Sequence, residues 1–150
     1  MSENELYFED VELGDDLGPV KRVITLEQVQ GFVKLWGDEE KPSRFTSQQV
    51  AIDEGLPGAI VPGAMNIGIL AQVITGWCAN VVLRTLDLVF RQMVRHDVTY
   101  YLKGIVTDKE ILEGIPTVEC DVWMEDLDGT RLVIGKATVI FPMRGSTNVP

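Results

Sequence analysis

Gly63-Ala64-Met65-Asn66-Ile67-Gly68-Ile69-Leu70-Ala71-Gln72-Val73-Ile74-Thr75-Gly76-Trp77 is the stretch that decides the architecture. Its apolar residues run around almost the whole circumference of a helix, a pattern expected of a helix buried on nearly every side. At 1.5 Å per residue it would be about 22 Å long. Gly63, Gly68 and Gly76 each lower helix propensity by about 1 kcal/mol relative to Ala. A sheet packed closely against the helix would explain the small residues. After it the period changes from 3.6 to 2. Leu86, Leu88 and Phe90 alternate with Asp87, Val89 and Arg91, and Val98, Tyr100 and Leu102 with Thr99, Tyr101 and Lys103. Val118, Cys120, Val122 and Met124 alternate with Glu119, Asp121 and Trp123, and Val133, Gly135, Ala137, Val139 and Phe141 form a last inward face. Alternation of this kind marks half-buried strands. Asp128-Gly129 between the last two runs is a hairpin signal. The fold class is α+β: four strands in an antiparallel sheet around one helix.

Upstream, Met1 to Gly18 reads as an extended lead-in with a turn at Gly14-Asp15-Asp16, and Val20 to Ile24 as a short apolar strand or helix approach. Thr25 and Gln28 have the form of a capping box. Leu26, Val29, Phe32, Val33 and Trp36 follow at helical spacing, and Gly37 is placed to end the helix as a left-handed cap. Gly37 to Phe45 is a polar loop between helices, a position that favours function. Ser47 is placed to cap a short helix from Gln48 to Glu54, ended by Gly55. Trp36, Trp77 and Trp123 read as core or interface anchors, and Met65, Met93 and Met124 as core filling.

With 150 residues, 45% hydrophobic and 24% charged, the chain is sized and composed for one globular domain, residues 1–150. A net charge of −10 argues against bulk binding to nucleic acid or an anionic membrane. A local basic patch of Arg84, Arg91, Arg95, His96 and Lys103 is diluted by Asp87 and Asp97 and reads as a solvated strand face. Cys78 and Cys120 match no metal-ligand spacing and read as buried free thiols. His96 is the only histidine, so a His-rich metal site is excluded within one chain, and no cofactor is expected. Asn66, Gln72 and Asn80 interrupt the longest apolar run, which falls short of a clean membrane span. The acidic Met1–Asp10 lacks the order of a signal peptide. A cytoplasmic location is expected.

Tyr7-Phe8-Glu9-Asp10-Val11-Glu12-Leu13-Gly14-Asp15, the helix Leu26 to Gly37, Gly58-Ala59-Ile60-Val61-Pro62-Gly63-Ala64-Met65, Val106-Thr107-Asp108-Lys109 and the final hairpin occur in an order that resembles the MaoC-like dehydratase and (R)-specific enoyl-CoA hydratase family. The resemblance runs from Tyr7 to about Phe141. It implies the hot-dog fold, a curved antiparallel sheet wrapped around a long central helix. It also implies a dimer with sites near the subunit interface, and an acyl thioester, carried by coenzyme A or acyl carrier protein, as substrate or ligand.

The family's catalytic pattern is D-x-N-P-x-H on the loop after the first helix, where Asp and His act on a water that adds to the enoyl thioester. Aligning on Pro42 puts Glu39 at the Asp position, Lys41 at the Asn position and Arg44 at the His position. Aligning on Gly37-Asp38 keeps an Asp but needs one inserted residue. Arg44 cannot cycle a proton near neutral pH. Its donor fork is suited to a carboxylate or phosphate, and Asp38, Glu39, Glu40, Lys41 and Arg44 can equally form an ion-pair knot within the loop. Pro62, Gly63 and Ala64 stand where the resemblance implies an oxyanion site: free N–H groups in the first turn of a helix, at its positive end. Pro62-Gly63 can also simply start the helix.

The resemblance thus leaves a hydro-lyase with Glu39 or Asp38 as base, or a catalytically silent subunit that binds an acyl thioester or partners a second hot-dog chain. Thioester hydrolysis, with Asp38, Glu39 or Glu40 activating water, is a weaker third reading. His96, read as a surface histidine beside Asp97, is a minor candidate for the missing base.

Overall fold

The computed structural model describes residues 5–37 and 41–145. A 3-10 turn at Phe8–Asp10 leads into β1 (Asp16–Val23), α1 (Leu26–Leu35), α2 (Gln48–Asp53) and α3 (Gly63–Trp77). Four strands follow: β2 (Val82–Phe90), β3 (Thr99–Leu112), β4 (Ile115–Glu125) and β5 (Arg131–Ile140). They form one five-stranded antiparallel sheet in the order β1-β3-β4-β5-β2. Val20–Ile24, open in the sequence between strand and helix approach, lies largely in β1. It pairs with β3 and adds an edge strand to the four expected.

Local chemistry sets these boundaries. The Thr25 N–H donates to Gln28 Oε1 and the Gln28 N–H to Thr25 Oγ1, both at 3.1 Å, completing the capping box of α1. Gly37, at φ 84°, follows the helix end. Ser47 Oγ accepts the Val50 N–H and caps α2. The β4–β5 hairpin closes through Asp126, whose Oδ1 accepts the N–H groups of Asp128 and Thr130 at 2.9 Å. The β3–β4 hairpin turns on Glu113-Gly114, both with positive φ, as a two-residue turn matching strand twist requires. The Lys109 ammonium on β3 donates to the carbonyls of Phe8 and Val11 at 2.7 Å each and fastens the lead-in to the sheet.

Tyr100, Leu102 and Val106 of β3, Val118, Cys120, Val122 and Met124 of β4, and Val133, Ala137 and Val139 of β5 are buried in one cluster with Ile69, Leu70, Val73 and Ile74 of α3. α3 touches β1, β2, β3 and β4. Two expectations about α3 need correction. At 15 residues it is a four-turn helix of ordinary length rather than a long one. It is also buried on one side only: Gly63, Ala64, Ile67, Gly68, Gln72, Thr75 and Gly76 are exposed. One sheet can cover only one face of a helix, so an all-round apolar helix leaves an apolar face for something else.

The basic patch does not form as read. Lys103 is ion-paired with Glu125, and His96 is buried rather than on the surface. His96 Nδ1 does lie 3.0 Å from Asp97 Oδ2, but its Nε2 is buried with no partner. Met93 and Trp36, read as core filling and as a core or interface anchor, are exposed. Both cysteines are free and buried. Burial, with Asp121 and Glu119 adding to it, pushes the Cys120 thiol up to about 12. A raised folded value stabilises the fold up to the ordinary thiol pKa of about 8.5. Stability should then fall as pH rises from there toward 12. Urea midpoints should drop across that window in the wild type and less in Cys120→Ala, an equal drop in both contradicting this.

No helix among the described residues is long and apolar enough to cross a membrane.

Candidate functional site

A cavity of about 600 Å³ opens between the end of α1, the loop from Lys41 to Phe45 and the start of α3. Phe32, Val33 and Trp36 form one wall, Lys41, Pro42, Ser43 and Phe45 a second, and Pro62, Gly63 and Ala64 the floor. The loop is held by its own hydroxyls: Ser43 Oγ accepts the Phe45 N–H, and Thr46 Oγ1 accepts the Ser43 N–H. The Arg44 carbonyl accepts the Ile60 N–H at 3.1 Å. The segment before α3 is pinned in turn, with the Val61 N–H on Val94 O at 2.7 Å and the Ala59 N–H on Gln48 Oε1 at 2.7 Å. A Cβ on Gly58 would meet the Arg95 guanidinium at 2.6 Å and Gln48 Oε1 at 2.7 Å, so a glycine lets these three elements converge.

At the floor, Pro62 is the N-cap of α3 and offers no side-chain acceptor. The Met65 and Asn66 N–H groups donate to Pro62 O. The Gly63 and Ala64 N–H groups have no acceptor among the described residues. They lie at the positive end of a 15-residue helix, on an exposed stretch that lines the cavity. Two adjacent amides with fixed direction are suited to an oxyanion or a polarised carbonyl. The structure places Pro62, Gly63 and Ala64 together at the cavity.

It does not bring Arg44 there. Its Nε is 2.8 Å from Glu54 Oε2 at the end of α2, and Arg44 is absent from the cavity lining. Among the described residues its ion-pair partner is Glu54; the loop acids Asp38, Glu39 and Glu40 lie outside them. With both side chains half exposed, Arg44→Ala should cost at most about 1 kcal/mol in a denaturation curve, and a much larger loss would show a further role. Asp38 and Glu39 lie outside the described residues, although Lys41 and Pro42, just beyond them, line the cavity. His96 does not line it. Among the described residues Lys41 is the single titratable side chain of the lining, and no group of three or more His, Cys, Asp or Glu is placed to hold a metal. Phe32, Trp36, Lys41 and Ser43 were not read from the sequence as lining residues. Trp36 and Phe32, whose rings pack at a 38° tilt with centroids 5.8 Å apart, are legible only as one side of α1.

No family model and no curated protein matches the chain by sequence. Solved structures do. The unliganded R-hydratase PhaJ1 from Pseudomonas aeruginosa superposes with a TM-score of 0.80 at 15% identity, over 97% of this chain and 94% of that one. A MaoC-like dehydratase from Rhodospirillum rubrum gives 0.78 at 15%, covering 94% and 99%. The chain has the hot-dog fold of the MaoC-like dehydratases and (R)-hydratases. The truncated HadBC (3R-hydroxyacyl-ACP dehydratase) complex from Mycobacterium tuberculosis gives 0.72 at 18%, covering 87% and 98%. The hot-dog neighbours thus include a protein that works as a complex as well as hydratases and dehydratases described singly.

Proposed function

We propose that this chain is an acyl-thioester subunit of the hydratase–dehydratase family, holding the thioester carbonyl on the Gly63 and Ala64 amides. The observation that carries this reading is the pair of unoccupied N–H groups on the cavity floor. Hydration of an enoyl thioester needs that polarisation, a base for water and an acid for the alpha carbon. The described part of the cavity supplies the first. The aligned histidine position holds Arg44, turned away to Glu54. The proton-transferring groups therefore come from a second hot-dog subunit.

Two further observations favour a partner. The outer side of α3 is exposed through Ile67 and Thr75, and the edge strand β2 is exposed through Val82, Val89 and Phe90. An unpaired edge beside an apolar helix face is a place for another chain to add. The family's wrapped sheet belongs to the same reading, since α3 touches four of the five strands. A second reading, a self-sufficient hydro-lyase with Glu39 or Asp38 as base, is favoured by one fact: the loop directly after them lines the cavity.

Trp36 gives the test of binding. Crotonyl-CoA should quench tryptophan fluorescence saturably, and Trp36→Phe should remove most of that change. No saturable signal, with no heat in calorimetry, would overturn the assignment of an acyl-thioester ligand.

A further inference from the structure

A second groove, of about 330 Å³, runs from the cavity along the seam between α1, α3 and β1. The two share Phe32 and Ala64. On α3 the seam follows Ala64, Gly68 and Gln72, an i, i+4, i+8 ridge that is exposed at all three positions. Gly68 is the informative member. A Cβ there would meet nothing within 4 Å, so no neighbouring atom requires a glycine, yet glycine costs the helix about 1 kcal/mol relative to Ala. Ile24, Met65 and Ile69 give the groove apolar walls, and its polar lining residues are Arg22, Gln28 and Gln72, with Gln72 about two helical turns from Ala64. The Arg22 guanidinium makes no ion pair or hydrogen bond among the described residues, whereas Arg44, Lys103 and Arg144 are each paired with a carboxylate. The Gln28 side-chain oxygen is taken by the Thr25 N–H, which leaves its amide N–H₂ as a donor. The groove thus joins the backbone donors at Gly63 and Ala64 to side-chain donors that include a free positive charge.

We infer that the groove holds the acyl chain of a thioester that carries an anionic group, a carboxylate, at its far end, bound by Arg22. This rests on the proposed binding of a thioester at Gly63. From Ala64 to Gln72 the helix rises about 12 Å. That length fits an extended chain of about ten carbons. A carboxylate suits the planar Arg fork and selects against a methyl end, which would leave the guanidinium facing apolar atoms.

The test compares butyryl-CoA, decanoyl-CoA and the monothioester of coenzyme A with decanedioic acid, by calorimetry. Wild type should bind the carboxylated ligand at least tenfold more tightly than decanoyl-CoA, and Arg22→Gln should bring the two within about threefold. Gly68→Leu, whose Cβ would meet nothing within 4 Å, should lower the ratio of ten-carbon to four-carbon affinity at least tenfold. Equal affinities in wild type, or an unchanged ratio in Gly68→Leu, would overturn the groove while leaving thioester binding standing. Loss of the protein's oligomeric state in Gly68→Leu would make the groove a subunit contact and overturn it too. No binding of any of the three would overturn the thioester reading and this inference with it.

Discussion

Gly63→Pro should leave the fold intact and reduce the chain's contribution to thioester chemistry by about 10²–10³ in turnover, the effect of deleting one oxyanion donor. The substitution removes one donor, the Gly63 N–H at the cavity floor, and puts a pyrrolidine ring in its place. Proline is favoured at the first position of a helix, where the N–H lacks an intrahelical partner. Pro62, at φ −58° and ψ 141°, already has the extended conformation that a following proline requires. A Cβ at residue 63 would stand 3.6 Å from the Phe90 ring, an ordinary contact. Gly63→Ala keeps the N–H and is the control. With a complementing subunit supplied, Gly63→Ala should retain most of the turnover and Gly63→Pro should lose it, at melting temperatures within about 2 °C of each other. Equal activity in both would mean that the Gly63 amide is not an oxyanion donor.

The largest effect on stability is expected at Gly135. A Cβ there would fall 2.1 Å from the Asp87 carbonyl oxygen and 2.5 Å from Leu88 Cδ2. The first is backbone of the paired edge strand, since Leu88 is the register partner of Gly135. Neither strand can yield locally without giving up its ladder, so Gly135→Ala would force β2 away from β5. Overpacking of this kind costs about 1–3 kcal/mol, and more where backbone must move. We expect about 3 kcal/mol or more in urea denaturation. Gly68→Ala, on the open side of α3, should instead stabilise by up to about 1 kcal/mol through helix propensity. If the two variants had similar stabilities, the close approach of β2 to residue 135 would be wrong. The same displacement would disturb Phe90, at the end of β2 beside Gly63, so the edge strand and the cavity floor are mechanically linked.

These two glycines show what the sequence could and could not disclose. The α3 boundaries, the capping box at Thr25, the Ser47 cap, the final hairpin and the inward residues of β4 and β5 are legible, because each depends on periodicity or on a local turn preference; of the inward set Val98, Tyr100 and Leu102, the last two are buried in β3, whereas Val98 is exposed just before the strand. Gly135 was legible only as one position in an alternating run, because its requirement comes from a strand nearly fifty residues away in sequence. The edge strand β1 was left open for a similar reason: Val20 to Ile24 is short, and its pairing with β3 is a tertiary fact. The one-sided burial of α3 is not legible in an all-apolar circumference, because which side of the helix meets the sheet is set by its tertiary placement and not by its composition.

The site was legible in the same proportion. Pro62, Gly63 and Ala64 follow from the entry to a helix and keep their place at the cavity. Arg44 is a site candidate in the sequence, and the structure turns it to Glu54 at the end of α2, a partner that local spacing in the loop does not disclose. His96 was read beside Asp97, which it is, and on the surface, which it is not: backbone contacts on either side of it, Val61 N–H to Val94 O and Asp97 N–H to Ile24 O, hold its segment against the protein.

In the proposed function this chain binds and polarises an acyl thioester without carrying its own complete acid–base pair. The most direct measurement follows the conjugated enoyl thioester of crotonyl-CoA in the presence of pure protein, with binding measured on the same sample. Saturable binding and no turnover are expected of the chain alone, with turnover appearing when a hot-dog subunit bearing an intact Asp and His is added. Turnover by the chain alone that vanishes in Glu39→Ala or Asp38→Ala would contradict it and establish a self-sufficient hydratase.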